Sequence, residues 1–141
     1  MRTLLAVAAA VVAVAPAASA GTTSPCALVT AGDAGKALGV NVGKGVAKTL
    51  GLYRSCTYKK GRKTLTVLVR KIDRSTFEKS AKKNPPPVFP IPGIGDEAFS
   101  AGAGAALLVW KQGTEVTFTF VGVSPVVQTQ KDVANAALKR L

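Results

Sequence analysis

Alternation of apolar and polar side chains marks several stretches of this chain as strands with one buried face. Between Lys63 and Arg70, Leu65, Val67 and Val69 fall on one side and Thr64, Thr66 and Arg70 on the other, with Leu68 as the exception. Thr114–Val121 alternates as cleanly, with Val116, Phe118 and Phe120 set against Glu115, Thr117 and Thr119. Arg54–Lys60 repeats the pattern with Cys56 and Tyr58 on the apolar side, and Lys60-Gly61-Arg62 reads as a hairpin turn into the next strand. A weaker strand is expected near Val46–Leu50, and a second set begins at Asp96–Phe99. Ala105–Lys111 is an almost unbroken apolar run of the kind found in central strands. Gly102-Ala103-Gly104 and Gln112-Gly113 supply the turns of this second set.

Helical signals separate the strands. Ser24-Pro25 places a capping residue before a proline at the first helical position, and Thr30-x-x-Asp33 resembles a capping box. Residues 25–38 therefore read as one helix, interruptible near Thr30 and stopped by Gly39. Asp73 caps a second helix over residues 74–83, with Ile72 and Phe77 spaced as a hydrophobic staple and Asn84-Pro85 as its end. Residues 84–95 hold five prolines and read as a stiff loop, with Val88, Phe89 and Ile91 available to tuck onto the core. Ser124-Pro125 repeats the cap-and-proline signal before a last helix that reaches Arg140, and Thr129-x-x-Asp132 offers a later start. Two strand meanders separated by a helix follow from this order. The expected fold is α+β, a two-layer sandwich with an antiparallel sheet of about five to six strands and helices packed on one face.

The first twenty residues belong to no such pattern. One positive charge at Arg2 precedes twelve apolar residues, Leu4–Ala15, then Pro16 and the small-x-small series Ala18-Ser19-Ala20. Twelve residues of helix reach roughly 18 Å, short of a ~30 Å hydrocarbon core, so residues 1–20 read as a secretory signal peptide and not an anchor. Residues 21–141 form the expected single mature domain, with no further transmembrane segment. An exported chain with two cysteines forms one disulfide, so Cys26 and Cys56 are expected to be joined. A bond between them would put the first helix on the sheet face of Tyr58, Leu65 and Phe118.

Charge changes the picture next. There are 19 Lys and Arg against 7 Asp and Glu, for a net +12. After loss of residues 1–20, 18 basic residues face the same 7 acids, and the net charge is +11. Lys59, Lys60, Arg62 and Lys63 gather at one hairpin tip, and Lys79, Lys82 and Lys83 at one helix end, so these seven form a candidate anion-binding patch. No histidine is present, which removes histidine-based metal sites and catalytic triads, and no cofactor is implied. Asp33, Asp73 and Asp132 read as helix caps and Glu115 as a strand surface residue. Asp96-Glu97 is the one adjacent acidic pair, and neighbouring strand positions point to opposite faces. Trp110 lies in an apolar strand, so a core role outweighs a stacking role.

Pro25-Cys26-Ala27-Leu28-Val29-Thr30, Ala37-Leu38-Gly39, Cys56-Thr57-Tyr58 and Gly93-Ile94-Gly95-Asp96-Glu97-Ala98-Phe99 form a series. It resembles a group of secreted and lipid-anchored actinobacterial domains of unknown function, and the extracellular sensor domains of some mycobacterial-type serine/threonine kinases look like distant relatives. The resemblance spans Ser24 to Leu141. It implies an exported or envelope domain whose disulfide joins the first helix to the sheet, and it offers no catalytic residues. Many members carry a lipobox cysteine; Cys26 lies six residues past the expected cleavage site, so anchoring does not carry over. The expectation is a non-enzymatic binding domain, secreted or loosely held at the envelope, contacting an anionic envelope polymer or lipid headgroup. The alternative is a secreted protein-interaction factor, such as a protease inhibitor, acting through the proline-rich loop. Nucleic acid is not expected as a partner, because the basic stretches lack interleaved aromatics.

Overall fold

Seven strands make one antiparallel sheet in the computed structural model of the chain, which describes residues 23–141. In chain order they are β1 (Val46–Leu50), β2 (Tyr53–Lys60), β3 (Lys63–Lys71), β4 (Val88–Pro90), β5 (Glu97–Ala101), β6 (Ala106–Lys111) and β7 (Thr114–Val121). Their order across the sheet is β1-β2-β3-β7-β6-β5-β4. The order of elements implied two meanders, and the structure has them as β1–β3 and β4–β7, joined along the β3–β7 seam. Two-residue turns close the β1–β2, β2–β3 and β6–β7 hairpins. Gln112 and Gly113 both take positive φ, 47° and 80°, the requirement of a turn that matches strand twist.

The helices are α1 (Pro25–Leu28), α2 (Ala31–Leu38), α3 (Arg74–Lys82) and α4 (Val127–Leu138). The single N-terminal helix expected over 25–38 is two helices. Thr30 is extended and caps α2 in a capping box with Asp33, and that extended residue is the break. Gly39 ends α2 in the left-handed region at φ 66°. Ser124-Pro125 does not start α4; Val126 holds the capping position and supplies no side-chain acceptor.

The inward residues of β2, β3 and β7 face α1, α2 and α4. Leu28, Leu38, Leu65, Val67, Phe118 and Val133 lie in this core. The Cys26–Cys56 disulfide crosses from α1 to β2 with α-carbons 5.1 Å apart. Beside it the Tyr58 hydroxyl donates to the Val29 carbonyl, and burial raises its pKa. Gly45 passes over this junction; a Cβ there would collide with Cys56 Sγ and the Tyr58 ring, so no larger residue fits without displacement.

Two expectations need correction. The helices do not all share one face: α3 lies on the other side of the sheet. The cause is β6, whose Leu107 and Val109 enter the first core while Leu108 and half-buried Ala106 and Trp110 face away from it. Phe77 and Ala81 of α3 cover this second apolar face, Phe77 packs 5.8 Å from the Phe99 ring, and Trp110 Nε1 donates to the Ile72 carbonyl at 3.0 Å. The sheet also has seven strands and not five or six. The proline-rich stretch contributes β4, paired with β5 through Val88↔Ala101 and Pro90↔Phe99. Proline is tolerated there because β4 is an edge strand. Among the described residues, no helix is long and apolar enough to cross a membrane. The expected signal peptide, residues 1–20, lies outside the described residues.

Candidate anion-binding surface

On the face opposite α1, α2 and α4, α3 packs on β5 and β6 and reaches β3 through the Arg70–Ser80 hydrogen bond, while Thr57, Thr66 and Thr119 toward the β2–β3 hairpin lie outside its apolar contact. The floor left open carries the polar half of each alternation. Thr57, Thr66 and Thr119 form one cross-strand row, and Ser55, Leu68 and Thr117 the next. The threonines are half-buried, and the Thr57 and Thr66 hydroxyls lie 3.4 Å apart. The β2–β3 hairpin tip bounds this floor on one side. Lys59, Lys60 and Arg62 are exposed there, Lys59 on the open face by alternation from Thr57.

The C-terminal end of α3 reaches the same end of the sheet. Gly102, which follows β5, donates to the Pro85 carbonyl just after α3. Ala101 pairs with Ala106, Ala106 with Thr119, and Thr119 with Thr66, three residues along β3 from the hairpin tip. Lys79, Lys82 and Lys83 are exposed at this end of α3. Three strand spacings separate β5 from β3 and four separate it from β2, and the hairpin tip lies several residues beyond Thr66, so the two clusters stand roughly 15–20 Å apart. That exceeds a Debye length of ~8 Å, so they act as two separate positive anchors.

Lys63 does not belong with them. It is half-buried on the α2 side, and its Nζ donates to the Leu38 carbonyl at 3.2 Å, capping the C-terminal end of α2. Six of the seven patch residues remain at the surface.

The acids are engaged elsewhere. Asp73 accepts from the Thr76 hydroxyl and amide at 2.7 and 2.9 Å, and these bonds lower its pKa. Arg74 is held by Glu97 and Glu78, and the Glu97 hydrogen bond raises its pKa. Asp96 accepts from the Gln112 amide, and Asp132 from Gln128. Asp33 joins Thr30 to Arg140. Glu115 departs from its expected surface role. It is only 4% exposed and pairs with Arg70 at 2.7 Å. Arg70 also donates to Tyr53 and to Ser80 of α3, and it stacks 4.8 Å above the Tyr53 ring. No lysine takes part in an ion pair among the described residues, so the positive field at the hairpin tip and at the end of α3 is not neutralised by a bound carboxylate.

Sequence reading did not find the Arg70–Glu115 pair. The two residues stand directly opposite each other on β3 and β7, 45 positions apart in the chain. Only the register brings them together. No family model, no curated protein and no solved structure matches the chain.

Proposed function

We propose that the chain is an exported, non-enzymatic binding domain that attaches to phosphate-bearing surfaces of the cell envelope, whether lipid headgroups or wall polymers. The observation that carries this reading is the pair of unneutralised basic clusters at one end of the sheet, separated by more than a Debye length. Such spacing favours an extended, multivalent anion over a single small one, because each cluster gains its own contacts on a connected target. The threonine floor between them offers hydroxyls to the same partner. The Cys26–Cys56 disulfide is compatible with export. Every described carboxylate has a cap, an ion pair or a hydrogen bond of its own, which leaves acid–base catalysis without a poised pair. The proline-rich stretch on which the alternative protease-inhibitor reading rests supplies the edge strand β4.

Co-sedimentation of residues 21–141 with anionic vesicles, neutral vesicles and phosphorylated wall fragments tests the proposal. Binding is expected on the anionic targets, to weaken steeply as salt rises, and to be little inhibited by inorganic phosphate. Changing Lys59, Lys60 and Arg62 together to Glu should lower affinity at least about tenfold at unchanged Tm. Lys63→Glu serves as the contrast, because it should lower Tm by uncapping α2. Binding indifferent to salt and to the first three residues would overturn the proposal, and vesicles against wall fragments separate the two sources of phosphate.

A further inference from the structure

A second site lies on the sheet face opposite α3, between the N-terminal end of α4 and the β4–β5 edge of the sheet. Three large apolar side chains stand unusually open there: Phe89 is 57%, Val126 68% and Val127 47% exposed. With Ile91 and Pro125 they border a groove of about 530 Å³, within the range of small-ligand pockets. Gln130 forms part of its lining and is only 1% exposed. Its Nε2 donates to the Gly104 carbonyl at 2.9 Å, which fixes the orientation of the amide. Its Oε1 has no donor, and it is the only buried side-chain polar atom among the described residues without a partner. A buried acceptor left unpaired costs about 1–3 kcal/mol, so a donor arriving there would recover a matching gain.

A second requirement comes from α4 itself. No side chain caps its first turn, and both Val126 and Val127 line the groove. The leading amides of the helix therefore present donors near the same place. A group that suits both must donate to Gln130 Oε1 and accept from an amide. A hydroxyl or a primary amide does both; a carboxylate can only accept.

We infer that the groove binds a small neutral amphiphile, its hydrocarbon body against Phe89, Val126 and Val127 and its hydroxyl or amide head at Gln130. The site uses none of the six exposed basic residues and lies on the other face of the sheet from α3, so its test is independent of the anion-binding reading.

Titration of residues 21–141 with 1-octanol, octanamide and octanoate, followed by amide NMR shifts, tests this. The alcohol and the amide should shift Ser100, Gly104, Val127 and the Gln130 side chain, with octanoate binding more weakly. Gln130→Met should weaken octanol by about tenfold, the worth of one or two hydrogen bonds. Val127→Asp should abolish binding at unchanged stability, since an acid in the first turn of a helix is favourable and the position is exposed. Shifts elsewhere on the surface, a preference for octanoate, or equal affinity in both variants would overturn the inference. So would a crystal structure in which an ordered water satisfies Gln130 Oε1 and is not displaced by octanol.

Discussion

Asp33 ties together parts of the chain that are remote in sequence. Its carboxylate accepts from the Thr30 amide and hydroxyl at 3.0 and 2.8 Å, and from Arg140 at 2.6 Å. Arg140 also donates to the Leu28 carbonyl, so the last turn of the chain is pinned to the start of α2. Partial burial pushes the Asp33 pKa up, but the Thr30 amide, the Arg140 guanidinium and the Thr30 hydroxyl together bring it below its ordinary value. A folded pKa below the unfolded one means stabilisation that is complete above ~3.9 and is lost as pH falls through the folded value. Asp33→Asn should therefore cost about 1 kcal/mol at neutral pH, and the gap from wild type should close below about pH 4. Urea unfolding at a series of pH values measures this; a gap that persists undiminished into acid would exclude a favoured carboxylate. The capping half of this arrangement was legible from Thr30-x-x-Asp33, because a capping box is local. The Arg140 half was not, since nothing in the sequence brings residues 107 apart into contact.

Among the elements, α3 shows how a locally readable helix can be placed where local patterns do not say. Asp73, Ile72 and Phe77 announce its start. Its side of the sheet follows from β6, whose unbroken apolar run needs cover on both faces. Arg70 and Glu115 fasten α3 to the sheet, with Ser80 accepting from the same guanidinium. Their side chains are 15% and 6% exposed, so removing one partner strands a charge. Arg70→Leu should lower stability by about 3–5 kcal/mol, and Arg70→Leu with Glu115→Leu should recover most of that loss. Denaturant titrations of the two variants decide it. If the double variant is no better than the single one, desolvated Glu115 is not the source of the cost. The basic patch divides on the same grounds. Its two clusters were visible as runs of lysine and arginine, whereas Lys63 left the patch because α2 ends beside β3 and offers the Leu38 carbonyl.

For the whole molecule, the disulfide is the covalent link between layers. It closes a 30-residue loop that contains α2 and β1. Cross-linking of that span restricts the unfolded chain by about 3–4 kcal/mol in the chain-entropy account. A Cys26→Ser, Cys56→Ser variant should lose about that much, a large fraction of the ~5–15 kcal/mol typical of such domains, with reduction of the wild type giving a similar drop. Equilibrium unfolding with and without reductant measures both; a loss well below 1 kcal/mol would show that packing of α1 on β2 does not depend on the link. The same link holds Gly45 against Cys56 and Tyr58, where no side chain fits.

Sequence alone determined what depends on neighbours within a few residues. Period-two alternation defined β2, β3 and β7, caps defined α2 and α3, and the export pattern led to the pairing of the two cysteines. Tertiary structure decided what depends on which strands meet and in what register: the β3–β7 seam, the second apolar face under α3, and the recruitment of a proline-rich stretch as edge strand β4. It also decided which charges remain at the surface and left Gln130 Oε1 without a donor. These are outcomes of long-range packing, where each residue's surroundings come from segments tens of positions away, and no local period in the chain encodes them.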